Sequence, residues 1–366
     1  MTPRYYFVLF GFLFIIVGTR GCLTPSDASP PAELPEYVPE TAPVDVTPMP
    51  TGLDNTLLVT PLTPSAPFEL TQLTQAFTAG AFWSENGQVL TYATREPPEQ
   101  AWSWWQYEVA TGEQWLIPAP FEIGPQIWEE LEFYEHEPSF IWGDGGFSPT
   151  GIYVLYTRLP SDYTHNPDDF YLPPYEAWIA RTDGSQAVLV QRGCRVTQAL
   201  WLNQETQVIF TCSVEGGWAD IWLAEIDGSN TFSLSSVVFG EQYNNDWMAL
   251  SPDETQLAFV DNLFQLRIAA LDGSENIGVA APCEFTFHPN WSADSQRIYF
   301  KCQGVSRSDD GVYVYDLRTT MTTRFIDLPL VLDDGRELDM AKMIIAPCET
   351  RAVFISRGLW LITWLP

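Results

Sequence analysis

The chain is 366 residues long and carries 17 Lys and Arg against 47 Asp and Glu, a formal net charge of −30. So little positive charge excludes nucleic acid, whose binders need a basic face, and does not suit docking on an anionic membrane surface. Phe, Trp and Tyr make up 14% of the residues, which excludes global disorder and favours many buried strands.

Residues 5–18 hold no charge and lie between Arg4 and Arg20. This run is short for a membrane-spanning helix, which needs about 20 residues, and fits the apolar core of an export signal. Thr19-Arg20-Gly21-Cys22 follows, and it resembles a bacterial lipoprotein cleavage box with Cys22 as the lipidated residue. Three outcomes are open: a lipid anchor on Cys22, an uncleaved membrane anchor, or simple secretion. Each puts the rest of the chain outside the cytoplasm, and the membrane is met only through residues 1–22. Residues 23–52 are rich in Pro, Thr and acidic side chains, as in Pro30-Pro31 and Pro43-Val44-Asp45. Such a composition buries no core and reads as an extended tether.

From residue 53 to 366 one pattern recurs six times. Its markers are Ser84, Ser148, Leu202, Ser251, Ser292 and Ala346, each preceded by an apolar anchor: Trp83, Phe147, Trp201, Leu250, Trp291 or Ile345. Six residues after each marker stands an apolar residue, and eight after it an aromatic: Tyr92, Tyr156, Phe210, Phe259, Phe300 or Phe354. The markers are spaced by 64, 54, 49, 41 and 54 residues, suiting four-stranded units of about 40–45 residues with insertions. Each unit reads as a strand, a polar turn, a second strand, then a third closed by a Gly turn such as Asp183-Gly184, Asp227-Gly228 or Asp272-Gly273. The expected fold is all-β: a six-bladed propeller of four-stranded antiparallel blades. The last unit reaches its third strand at the end of the sequence, so an N-terminal strand is expected to close it. Residues 55–60 are apolar and β-prone, and are assigned that place.

The unit Trp/Phe-Ser-Pro-Asp-x-x-x-Leu-x-Phe, followed by a strand and Asp-Gly, resembles the repeat of TolB-type β-propellers. The fourth copy, Leu250-Ser251-Pro252-Asp253, keeps Ser-Pro-Asp intact, and the third has Leu202-Asn203-Gln204 in its place. The resemblance implies the propeller and does not imply membership of the Tol envelope system.

Six cysteines in an exported chain are disulfide candidates. Cys194 and Cys212 flank the third marker much as Cys283 and Cys302 flank the fifth. In a hairpin this sets the start of the first strand beside the end of the second, so Cys194–Cys212 and Cys283–Cys302 are the expected pairs. Cys348 lies in the turn of the last unit and is expected to stay unpaired within the chain.

The sequence points to no catalytic residue, cofactor or metal site. Gly146-Phe147-Ser148-Pro149-Thr150-Gly151 has one residue too many for a nucleophile elbow, and Ser148 is a repeat marker. His136, His165 and His288 lack metal-ligand spacing, and Asp309-Asp310 and Asp333-Asp334 read as loop charge before calcium ligands. Four residues before the markers, mostly polar side chains recur. Asp144, His288 and Lys342, with the adjacent Asp246, are the candidate polar site at one mouth of the channel. Trp102 and Trp104, at a strand entrance of the first unit, and Tyr163, Phe170 and Tyr171, on the insertion at 160–174, are the candidate partner surface, with 129–136 a second insertion beside it. The expected function is that of a non-catalytic, envelope-anchored, monomeric binding protein for another protein or a small polar ligand. The alternatives are a carbohydrate-binding module using Trp102 and Trp104, or a hydrolase or lactonase at the channel mouth with a bound cation.

Overall fold

The computed structural model describes residues 56–59 (backbone only), 68–84, 86–95, 102–119, 146–161, 163, 175–213, 219–235, 247–332, 335–339, 342–356 and 358–364. The anchor, the tether, Cys22, Asp144, Asp246, Phe170 and Tyr171 lie outside these residues.

Two strands come first, β1 (Thr56–Val59) and β2 (Phe68–Thr74). Sheet I follows, with β3 (Phe77–Trp83), β4 (Val89–Arg95), β5 (Ser103–Glu108) and β6 (Gln114–Ile117). Sheet II holds β7 (Tyr153–Arg158), β8 (Glu176–Arg181) and β9 (Val188–Arg192), with Phe147 bridged to Val154 where a first strand is expected. Sheet III is β10 (Arg195–Leu202), β11 (Gln207–Ser213), β12 (Ala219–Glu225) and β13 (Thr231–Ser233). Sheet IV is β14 (Met248–Leu250), β15 (Gln256–Val260), β16 (Leu266–Ala270) and β17 (Asn276–Gly278). Sheet V is β18 (Phe285–Trp291), β19 (Arg297–Gln303), β20 (Gly311–Asp316) and β21 (Met321–Asp327). A two-stranded ribbon, β22 (Leu330–Val331) and β23 (Glu337–Leu338), precedes sheet VI, where β24 (Lys342–Ile345), β25 (Arg351–Ser356) and β26 (Gly358–Trp364) come from the chain's C-terminal part. Every pairing among these strands is antiparallel and, within a sheet, follows chain order except in sheet VI. The architecture is all-β and consistent with a propeller.

Sheet VI is closed by an N-terminal strand, but not by the expected one. β2 lies against β26, with Phe68 opposite Trp364 and Gln72 opposite Trp360. The segment assigned to that place, β1, pairs with β2 and forms a fifth, outer strand. The reason is burial. Phe68 and Leu70 alternate onto the core face at 1% and 0% exposure, and a bulge between Gln72 and Thr74 turns Leu73 inward as well. That alternation is present in Phe68-Glu69-Leu70, ahead of a polar stretch that hides it.

The repeat has a local cause. In the serine-marked copies the hydroxyl accepts the N–H five residues on: Val89 to Ser84 at 3.0 Å, Tyr153 to Ser148 at 3.1 Å, Gln256 to Ser251 at 2.9 Å and Arg297 to Ser292 at 2.8 Å. In three of them it also donates to an Asn or Asp two residues on: Asn86, Asp253 and Asp294. Burial pushes the Asp253 carboxyl up, but the Ser251 and Thr255 hydroxyls with the Thr255 N–H outweigh it, and the net shift is downward. Three residues after every marker the backbone is left-handed, at φ 65° for Gly87, 71° for Gly151, 66° for Glu205, 57° for Glu254 and 56° for Ser295 and Glu349. Much of the turn's hydrogen bonding thus comes from its own residues.

The strand after the turn is buried on both faces. Leu90, Val154, Val208, Leu257, Ile298 and Ala352 are all at 0% exposure, and the six aromatics two residues on are at 1% or less. Removing each such aromatic from water contributes on the order of 1.5–3 kcal/mol. These side chains fill the space between consecutive sheets. Leu155 and Ile179 of sheet II meet Val208 and Phe210 of sheet III; Ile209 and Leu223 meet Leu257 and Phe259 of sheet IV; Ala258 and Ile268 meet Ile298 and Phe300 of sheet V. Tyr299 and Val312 meet Phe354, Trp360 and the ribbon's Leu330 and Leu338; Val353 and Leu361 of sheet VI meet Leu90 and Tyr92 of sheet I. Across the first-strand row Trp83 Nε1 donates to Ile344 O (3.2 Å) and Trp291 Nε1 to Ala249 O (2.9 Å), tying sheet I to VI and V to IV.

Both expected disulfides are present, with Cα atoms 5.1 Å apart for Cys194–Cys212 and 5.7 Å for Cys283–Cys302. The expectation for Cys348 is corrected: it is disulfide-bonded, and no cysteine is free among the described residues. The repeat register, which paired the other four, offers Cys348 no equivalent position, so spacing alone did not reveal it. No helix among the described residues is long and apolar enough to cross a membrane.

Candidate functional site

Strand direction gives the sheets two unlike ends. The marker turns and the Gly turns after the third strands, with Gly112, Gly184, Gly228 and Gly273 at φ 70–85°, fall at one end. The connections from second to third strands and from each sheet to the next fall at the other. We call these the turn end and the loop end.

His288 and Lys342 belong to the first strands of sheets V and VI. β18 bulges between Phe287 and Asn290, and His288 sits in the bulge with φ 48°. A bulge re-aims side chains, and here it sets His288 edge-on to Trp247, with ring centroids 5.1 Å apart. Trp247 also meets Phe287 at 4.9 Å. Burial, with the charges of Lys342 and Lys301, lowers the His288 pKa to about 3, so the ring is neutral at physiological pH. Asn290 Nδ2 donates to Met343 O at 2.8 Å and holds the two strands together beside Lys342. The structure therefore brings His288 and Lys342 into one neighbourhood; Asp144 and Asp246 lie outside the described residues. Gln198, at the equivalent position of sheet III, is engaged on both sides by the Met248 backbone at 2.8 Å and serves as an inter-sheet strut. Among the described residues no three His, Cys, Asp or Glu side chains are grouped as a metal site. Asp310 accepts the Gly304 N–H at 2.9 Å, which gives it a role in its own loop.

The aromatic candidates part company. Trp104 faces inward at 4% exposure, against Phe82, and offers no open ring to a partner. The reason is strand alternation, which puts it on the opposite face from Ser103 and Trp105. Trp102 stays half-buried at the loop end, 6.0 Å from Phe77, with the Arg95 guanidinium 5.2 Å from its ring. Tyr163 is half-buried and its N–H donates to Pro160 O. Below that insertion Glu176 is buried at 4%, bonded to Arg192 (2.7 Å) and Trp178 Nε1 (3.1 Å), while Arg158 covers the Trp178 ring at 3.6 Å.

Sequence reasoning missed three exposed apolar residues at the loop end. Phe77 is 56% exposed, Leu263 70% and Val305 89%. Leu263 and Val305 top the second-to-third connections of neighbouring sheets IV and V. The signal available was an apolar residue inside a short polar loop, as in Asp261-Asn262-Leu263 and Gly304-Val305-Ser306.

No protein-family model matches the chain, and no curated protein matches its sequence. Solved structures match in fold. An oligogalacturonate lyase from Vibrio parahaemolyticus superposes with a TM-score of 0.53 at 13% identity, over 84% of this chain and 98% of that one. TolB from Acinetobacter baumannii gives 0.43 at 14% identity, over 73% of this chain and 61% of that one. Both are β-propeller proteins. The likeness to the lyase is one of fold, and it agrees with the propeller construction read from the sheets.

Proposed function

We propose that the chain is a six-bladed propeller, held outside the cytoplasm by its N-terminal anchor, that works without catalysis by binding a protein partner at the loop end. Six sheets of three to five strands among the described residues, with sheet VI packed back on sheet I, support the blade count. The observation that carries the binding role is the pair Leu263 and Val305, apolar and strongly exposed on adjacent loops of an otherwise acidic protein. Exposed apolar side chains on a rigid scaffold are what a partner buries. The mouth residues Asp144, Asp246, His288 and Lys342 form the proposed secondary site for a small polar ligand.

The test is crosslinking and capture from intact envelopes, comparing the natural protein with a Leu263→Ser/Val305→Ser variant. Loss of a specific partner in the variant, with unchanged melting temperature, supports the reading; identical captured proteins overturn it. A carbohydrate-binding reading keeps support from the half-buried ring of Trp102 beside Arg95, and an enzymatic one takes its prompt from the fold likeness to oligogalacturonate lyase. Titration with oligogalacturonate, followed for binding and for cleavage, separates both from the protein-binding role.

A further inference from the structure

Four of the six marker turns send a side chain out of their own sheet. Glu205 of sheet III accepts the N–H and the hydroxyl of Thr150 in sheet II. Glu254 of sheet IV accepts the Asn203 N–H of sheet III at 2.8 Å. The Ser295 hydroxyl of sheet V accepts the Asp253 N–H of sheet IV at 3.3 Å. Glu349 of sheet VI accepts Arg297 at 2.7 Å and the Tyr299 hydroxyl at 2.8 Å, both from sheet V. All four occupy the same place, three residues after the marker, and all four reach back to the preceding sheet.

That place is the left-handed one. Glycine adopts such a backbone freely, whereas other residues are strained there. Gly87 and Gly151 fill it in sheets I and II. A Glu or Ser retained in the other four turns, against the backbone's preference, calls for a return, and the bond to the neighbouring turn supplies one.

We infer that this residue is a latch that joins sheets II to VI into one stiff arc at the turn end, and that the ring gives at sheet I. In sheets I and II the equivalent place is held by Gly87 and Gly151, and neither glycine has a side chain to reach back with. Among the described residues sheet I is joined to sheet VI by the core around Tyr92 and Val353, by Trp83 and by the charge of Arg351 near Tyr107. The arrangement concentrates opening motion at the sheet that carries Phe77, Arg95 and Trp102 at its loop end. This goes beyond the binding role, and it stands or falls independently of the partner.

The test uses glycine where glycine should help. Thr320 has φ 55°, and among the described residues its hydroxyl bonds to the adjacent Thr319 O. Thr320→Gly is expected to raise the melting temperature by about 1–3 °C, by relief of strain. Glu205→Gly and Glu254→Gly relieve the same strain, yet are expected to lower it, and Glu254→Gln, which keeps an acceptor, is expected to stay near the natural value. Hydrogen exchange supplies the second measurement. Turn-end peptides of sheets I and II should exchange at least about threefold faster than those of sheets IV and V, and Glu254→Gly should speed exchange at Asn203. Glycine variants at 205 and 254 that stabilise as Thr320→Gly does overturn the latch. Uniform exchange around the ring overturns the seam at sheet I.

Discussion

The two ends of the sheets solve the same problem by different means. At the turn end, short connections satisfy their own polar groups: a serine hydroxyl, an Asp or Asn two residues on, and a left-handed residue after that. At the loop end the described connections differ from one another, and two disulfides lie at the strand ends there. Cys194–Cys212 and Cys283–Cys302 each join the entry of a first strand to the exit of a second, in sheets III and V. The contrast teaches where stability is local and where it is not. A turn built largely from its own residues can be repeated from sheet to sheet with little change. At the other end no single turn recurs, and in sheets III and V the strand ends are tied from within the sheet.

Three substitutions sharpen this contrast, in falling order of effect. Replacing Cys194 and Cys212 together by Ser should cost about 2–4 kcal/mol, since the bridge closes a short loop, and should appear as a lower midpoint in urea under oxidising conditions. If reduction leaves the midpoint unchanged, the loop end is held by something else. Ser251→Ala removes one acceptor and one donor at the turn end and should cost about 1–2 kcal/mol, with Thr255 and Gln256 amides losing exchange protection. An effect as large as that of the disulfide would erase the distinction between the ends. His288→Asn is the mildest, because Asn tolerates the left-handed backbone. His288 has a pKa lowered to about 3 in the folded chain, so protons bind preferentially to the unfolded state between the ordinary value near 6.5 and that point. Its contribution is complete above about pH 6.5 and is lost as the pH falls through that window. Urea midpoints should therefore fall less from pH 7 to 4 in His288→Asn than in the natural protein; parallel curves would refute the buried neutral ring.

Much of the architecture was legible because it is written locally. The marker, the apolar residue six on and the aromatic eight on all report one turn and one doubly buried strand, and each landed in the core. The two disulfides followed from that same register. The closing strand did not. Residues 56–59 and 68–74 both read as β, and only packing against Trp360 and Trp364 decides which lies inside. Trp104 is buried because alternation turns it to the face opposite Ser103 and Trp105, which the cluster of tryptophans in the sequence does not reveal. The candidate site was less legible still. His288 and Lys342 come together only because β18 lies beside β24, and the exposure of Leu263 and Val305 is a property of loops, for which no periodicity exists.

The outer position of β1 has a mechanical consequence. Thr56 pairs with Thr71 and Val59 with Phe68, so the chain enters β1 from the loop side, at the outer edge of sheet VI. Any load transmitted along the preceding residues meets this four-residue ribbon first. It can peel away one bond at a time, while the longer ladder between β2 and β26 stays zipped. The fifth strand thus acts as a fuse that spares the pairing of β2 with β26.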